Sequence, residues 1–454
     1  MTQTKASSYL SPDFGRASII ALSVCAYAIW IATGFAESDA GGIVTVLCAV
    51  ASVLISAVIL STQHFNPLSP VGMLLLFTQL YFAARFSFAT ARFGGWHTFV
   101  FVCYLLYLLG ILIVLQARLF GVSLVRPLTS RFELRSAKTV YVMTFLCLLV
   151  YVAIVFCLLK ATNDDLSPLT LVLSSLATRL AIAEQGLSAV LLLSSAFSTI
   201  GLSGAFILTQ HYKRKTPLVL WVITLALASM ALGSRGQLVI PLLQLVIAAA
   251  VCARSYLKLL IWTAPPLTVF TVVFSTWFLS VREGGADTPD DYSIFDRFDA
   301  YRNWLEALSF NGTQFSFGES IGSAMAQVVP RSVFPEKPFY FSTEMTRRFF
   351  NDAFQIGINL DFGGIAESFY NFHFIGPVLF GAFTGWLCRL MYHVYIEARR
   401  RSSPVLAIVY AQGMLLPASF FFVSWINSNL IFVTVGYYIF SFITVNVFCV
   451  RKEA

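Results

Sequence analysis

Runs of about 20 apolar residues recur along this chain, and a helix needs about that length to cross the ~30 Å hydrocarbon core of a bilayer. The stretch "TFVFVCYLLYLLGILIVLQAR" at 98–118 carries one charge, at its last position. Twelve such runs can be marked: 17–35, 41–61, 68–88, 98–118, 139–159, 186–208, 216–233, 236–253, 259–281, 372–395, 404–423 and 428–449. Charged residues make up 11% of the chain, where a soluble domain has about 25%. A soluble all-helical protein is therefore a poor fit. The expected fold is an all-α polytopic membrane protein of about 12 transmembrane helices, with 1–454 as a single integral-membrane domain. Nine helices lie within 17–281, a large loop spans 282–371, and three helices lie within 372–449.

Charge gives the chain its sides. If the spans alternate from a cytoplasmic N-terminus, one face collects 18 of the 30 lysines and arginines against four acids. The other face keeps the remaining 12 basic and 18 acidic residues. Short loops such as "HYKRK" and "EARRR" all fall on the basic face. This is the positive-inside asymmetry, and it predicts that both termini are cytoplasmic. The net charge of +8 is then a consequence of topology and calls for no nucleic-acid partner. The N-terminal "MTQTKASSYLSPDFGRA" leads into an apolar run without a small-residue cleavage site, so the first helix is expected to be retained. All eight cysteines lie inside apolar runs, which points to small core residues rather than a disulfide framework or zinc site.

The loop 282–371 is the exception to short connections. It is external in this topology and opens with an acidic stretch. Phe295, Phe298, Tyr301, Trp304, Leu305 and Leu308 recur there at helical spacing, predicting an amphipathic helix on the bilayer surface. Next comes "GTQFSFGESIGSAMAQVVP", small and apolar, expected as a helix that turns back toward the membrane plane. "PRSVFPEKP" (330–338) follows, then "GGIAESFYNFHFIG" leads into the tenth span. Loops this long usually carry their own elements and function.

External cations are informative because topology does not require them. Arginine presents a planar fork of donors that matches phosphate. Arg235, in the tight turn "GSRG", sits at the start of the eighth helix, whose free N–H groups favour an anion. The other reading is an arginine snorkelling to headgroups. Arg85, near the outer end of the third span, has the same two readings. Arg331 and Lys337 sit among three prolines that stiffen the backbone; a solvated turn is the alternative. Arg302, Arg347 and Arg348 are weaker candidates. Among the acids, Glu367 stands beside Tyr370, Asn371 and His373 at the entrance to the tenth span. A carboxylate there can deprotonate or orient a sugar hydroxyl. Tyr370, Asn371 and Glu319 are candidate sugar contacts, and His373 a second candidate base. No histidine-rich or paired-aspartate cluster suggests a metal, and no phosphate-binding loop motif is present.

With "GSRG", "FGESIGSAMAQVVPRSVFPEKP" and "GGIAESFYNFHFIGPVLFG" in this layout, the chain resembles the Wzy-type O-antigen and exopolysaccharide repeat-unit polymerases. By layout the likeness covers most of the chain; by motif it covers 232–237 and 316–381. The resemblance implies a multi-pass protein of the bacterial inner membrane with a periplasmic active site. It implies a metal-independent, inverting glycosyltransferase that uses no cofactor and a polyprenyl-pyrophosphate sugar donor. The growing glycan leaves undecaprenyl pyrophosphate and joins the non-reducing end of the next lipid-linked unit. By position, Arg235, Arg331 and Lys337, with Arg85 and Arg302 beside them, would bind the pyrophosphate and stabilise its leaving charge. Glu367, or else His373, would act on the acceptor hydroxyl, with Arg331 also among the catalytic candidates. Implied partners are the lipid-linked donor and acceptor, membrane lipids, a chain-length regulator and a repeat-unit flippase. The chain lacks the pair of arginine–glycine repeats in two external loops described for some members. An O-antigen ligase of similar architecture is an alternative, favoured by a central arginine–histidine constellation; the histidine here, His373, is at the loop's end. A secondary transporter or flippase is the other alternative. Its usual long cytoplasmic link between two six-span halves is here only "TQHYKRKT".

Overall fold

The structure is a computed structural model. It describes residues 40–62, 69–75, 78–79, 96–116, 125, 128, 132–163, 178, 188–232, 236–253, 300–311, 318–326, 334, 336, 338–355, 360–422, 439 and 441–451. Its main elements are, in chain order, α1 (Ala40–Thr62), α2 (Trp96–Gln116), β1 (Phe132–Leu134), α3 (Ala137–Thr162), α4 (Ser188–Gln210), α5 (Thr216–Ala231) and α6 (Gly236–Cys252). They continue with α7 (Ala300–Asn311), α8 (Glu319–Ala326), α9 (Phe341–Phe349), α10 (Asn351–Gln355), α11 (Gly363–Phe372), α12 (Ile375–Arg401), α13 (Pro404–Phe422) and β2 (Cys449–Arg451).

Among the described residues, three stretches are long and apolar enough to cross a membrane: Thr98–Gln116 in α2, α3 and α12. Shorter apolar helices accompany them. On α3, Val142, Phe145, Leu146, Leu149, Val152 and Phe156 are all exposed. A continuous apolar surface of this kind is what a lipid-facing helix presents. The protein is mostly helical and has the character of a membrane-embedded chain. The apolar runs at 41–61, 98–118, 139–159, 186–208, 216–233, 236–253 and 404–423 all appear as helices α1 to α6 and α13. The runs 17–35 and 259–281, and most of 68–88 and of 428–449, lie outside the described residues.

Two compact units are present. The first joins residues 1–122, 289–393 and 414–435. In it α1 packs along α2. Gln79 is buried and donates to the Ser56 hydroxyl (2.7 Å) and the Ser52 carbonyl (3.2 Å), while the Ser52 hydroxyl donates to Gln79 (3.3 Å). A buried amide is tolerated in such surroundings because its hydrogen-bonding groups are matched. Helix α12 meets α2 through glycine: a Cβ on Gly381 would overlap the Tyr107 carbonyl, and one on Gly110 would overlap the Val378 carbonyl. Backbones approach this closely only where side chains are absent. Near the start of α2, Phe99 gathers Trp304 (6.2 Å), Phe369 (4.8 Å) and Phe374 (5.6 Å), drawing α7, α11 and the turn into α12 onto α2.

The amphipathic helix expected on the bilayer surface is α7. Tyr301, Trp304, Leu305 and Leu308 are all buried, and α7 packs on α2, α9 and α11. Its apolar face is covered by protein, because aromatic side chains of α2 and α11 stand opposite it. Phe295 and Phe298 lie outside the described residues.

The second unit joins 123–288, 394–413 and 436–454. Helices α3 and α4 form its largest contact, and α5 packs on both. Trp221 fills the space left by Gly201. Among the described residues there is one short antiparallel strand pair: Phe132 pairs with Arg451, Glu133 with Val450 and Leu134 with Cys449. Beside it, the Arg135 N–H donates to the Phe448 carbonyl (2.9 Å) and the Tyr212 hydroxyl donates to the Arg135 carbonyl. The Arg399 guanidinium donates to the carbonyls of Val251 (2.9 Å) and Ala253 (3.0 Å), satisfying the carbonyl end of α6.

Candidate functional site

The "GGIAESFYNF" segment forms its own helix, α11, set apart from α12. Gly363 opens it with φ +77° and His373 closes it with φ +56°. At the break, the His373 N–H donates to the Phe369 carbonyl (2.7 Å), and the Gly376 N–H donates to the His373 carbonyl (2.9 Å). A Cβ on Gly376 would overlap the Ser368 carbonyl, so glycine permits the tight reversal into α12. The span expected from 372 therefore begins at Ile375 and runs on to Arg401. Its last turn is extended by Glu397, which pairs with Arg400 (2.8 Å) and Arg401 (2.8 Å), and by three cations placed favourably at a helix C-terminus.

Every residue from Gly363 to Asn371 is buried. Glu367 has 0% of its surface exposed, Asn371 2% and Ser320, in the first turn of α8, 6%. These three form one cluster. The Ser320 hydroxyl donates to Glu367 Oε1 (2.8 Å). The Asn371 amide donates to Ser320 Oγ (2.7 Å) and to the backbone carbonyl of Glu367 (2.9 Å). Spacing i, i+4 puts Glu367 and Asn371 on one face of α11. Gly318, with φ +86°, supplies the left-handed backbone just before α8.

Asp361 lies two residues before α11. Its backbone carbonyl accepts from the Asn303 side chain of α7 (2.9 Å). Next to it, the Leu360 N–H donates to the Thr346 hydroxyl of α9 (3.0 Å). Burial pushes the Asp361 carboxyl up to about 7, because desolvation penalises its charged form. Burial also raises the Tyr370 phenol, with the Arg348 charge acting in the opposite direction. Aromatic rings wall this region: Phe341 lies 5.9 Å from Tyr370 and 6.3 Å from Phe362, and Trp304 lies 6.2 Å from Phe369.

Of the residues singled out in the sequence, the structure brings Glu367 and Asn371 together, with Tyr370 on the same helix. Glu319 is exposed, and its neighbour Ser320 makes the contact. His373 is exposed, its ring set against Phe369 (5.2 Å) and Phe374 (4.5 Å). Arg302 pairs with Glu306 (2.9 Å) one turn on, and Arg347 pairs with Glu344 (2.7 Å). Arg85, Arg235, Arg331 and Lys337 lie outside the described residues. Within "PRSVFPEKP", Phe334 and Glu336 are exposed. Ser320, Asp361 and Asn303 were not anticipated. The only signals for them were a serine following Glu319 in "FGESIG" and a lone acid between Leu360 and Phe362.

The cluster offers a buried carboxyl with one oxygen held as an acceptor by Ser320. Comparison of the chain with models of known protein families, with curated proteins and with solved structures gives no match.

Proposed function

We propose that this chain polymerises undecaprenyl-pyrophosphate-linked oligosaccharide repeat units at the periplasmic face of the bacterial inner membrane. The reading takes twelve spans, both termini in the cytoplasm and the loop 282–371 in the periplasm. The observation that carries it is the buried carboxyl of Glu367, held by Ser320 and Asn371 within residues 282–371. A hydroxyl at the non-reducing end of the incoming unit attacks the anomeric carbon of the growing glycan. The bond from that carbon to the pyrophosphate oxygen breaks, and its electron pair leaves with undecaprenyl pyrophosphate. The hydroxyl proton passes to the Glu367 carboxylate. Arg235, Arg331 and Lys337 neutralise the charge that develops on the leaving group. Pyrophosphate is a competent leaving group, so alignment and charge neutralisation supply much of the rate.

Reconstitution in liposomes with a defined undecaprenyl-pyrophosphate oligosaccharide tests this reading. The expected result is a ladder of longer lipid-linked products. Folded protein that yields no ladder, or that transfers glycan only onto lipid A-core, overturns it.

A further inference from the structure

We infer that Ser320 is a positioning residue for Glu367, held in that role by Asn371. The inference rests on the polymerase reading and assigns the control of its proton-accepting group.

Hydrogen-bond direction carries the argument. The Asn371 amide nitrogen lies 2.9 Å from the backbone carbonyl of Glu367, which can only accept. That end of the amide is therefore the NH2 group. The same nitrogen lies 2.7 Å from Ser320 Oγ, so it donates there as well. A serine hydroxyl has a single proton. With its oxygen already receiving a donor, that proton points to Glu367 Oε1 at 2.8 Å. Oε1 must then be an unprotonated acceptor. Ser320 and Asn371 thus fix Oε1 as an acceptor and orient the carboxyl plane of Glu367. Full burial makes this effect strong, because water does not compete with the hydroxyl for the carboxylate.

Two helices are needed for the arrangement. Glu367 and Asn371 ride on α11, and Ser320 is carried by α8, a helix of small residues, "ESIGSAMA", that packs on α11. Seating α8 therefore readies Glu367. A positioning residue lowers the rate of the chemical step and leaves binding of the lipid-linked acceptor intact.

The test uses full-length protein in liposomes with the defined lipid-linked oligosaccharide. Glu367→Gln should lower kcat by about 100-fold, the lower end of what general-base catalysis supplies. Ser320→Ala should lower kcat by about 10-fold with the acceptor KM changed by less than about 2-fold. Ser320→Thr, which keeps the hydroxyl, should restore kcat to within about 3-fold of wild type. The double variant Ser320→Ala/Glu367→Gln should be no slower than Glu367→Gln alone, because Ser320 acts through Glu367. Ser320→Cys keeps the volume but offers a weak donor, carries the same expectation as alanine, and replaces it if alanine does not fold. Wild-type kcat in both the alanine and cysteine variants, an effect on KM alone, or multiplying losses in the double variant would each overturn the positioning role. A wild-type protein that forms no ladder sinks the polymerase reading itself, so the two failures are told apart.

Discussion

At the scale of single residues, burial decides what each polar group can do, and burial is what local sequence conveys least. Glu367 and Asn371 stood out because an acid and an amide within an aromatic run at a span entrance are costly and so rarely incidental. Ser320 did not stand out, since a serine in a small-residue helix has no signature until its partner is placed 47 positions away. Asp361 carries a pH dependence of its own. Its carboxyl titrates at about 7 in the folded protein and at the ordinary 3.8 when exposed. Between those values the folded state keeps a proton that the unfolded chain has released. The stability it contributes is complete below pH 3.8 and is lost as pH rises through about 7. Each pH unit in that window costs about 1.4 kcal/mol. Asp361→Asn removes the titration. The gain in melting temperature of this variant over wild type, measured in detergent, should therefore grow from pH 4 to about pH 7 and level off above. A gain that stays flat across the range would mean that the Asp361 carboxyl is not desolvated.

At the scale of elements, the helices of the apolar runs were legible because length and hydropathy are local properties. What covers each face was not. The periodicity of α7 correctly implied one covered face, yet an amphipathic pattern does not say whether lipid or protein covers it; the aromatic face turned out to lie on α2 and α11. The break between α11 and α12 was hidden for a different reason. A residue with positive φ at a helix end is usually glycine, and here His373 takes one, at φ +56°. Glycine matters elsewhere, and in opposite senses at two sites. On Gly381 a Cβ would strike the backbone of Tyr107 across the α2–α12 seam, whereas on Gly322, an exposed position of α8, it would meet nothing within 4 Å. Gly381→Ala should cost about 1–3 kcal/mol through overpacking against an unyielding backbone. Gly322→Ala should instead stabilise by about 0.5–1 kcal/mol, the helix-propensity difference. Paired thermal-unfolding curves read both signs, and a Gly381→Ala protein as stable as wild type would remove the close seam between α2 and α12.

At the scale of the whole molecule, each compact unit is assembled from segments far apart in the chain, as when Phe132 pairs with Arg451 or Arg399 caps the end of α6. Periodicity along the sequence carries no information about such pairings, which arise from the shape and hydrogen-bonding needs of surfaces that meet only after the helices form. The proposed sidedness is of a different kind, because it rests on the summed charge of many loops and on no contact between them. It also makes the sharpest demand on the proposed function: Glu367 must lie in a loop that faces the periplasm, where lipid-linked repeat units are joined. Two exposed positions discriminate, Glu336 within "PRSVFPEKP" and Arg214 within "HYKRK". In a variant whose eight native cysteines are replaced by serine or alanine, Glu336→Cys should react with a membrane-impermeant maleimide in intact spheroplasts. Arg214→Cys should react only after the membrane is opened. The thiolate is the reacting species, so labelling at pH 8 makes both sites report access rather than thiol ionisation. If both cysteines label from the same side, an even number of spans separates them, whereas the three runs 216–233, 236–253 and 259–281 require opposite sides. If Glu336→Cys labels only in opened membranes, the loop is cytoplasmic and a periplasmic polymerase site at Glu367 is untenable.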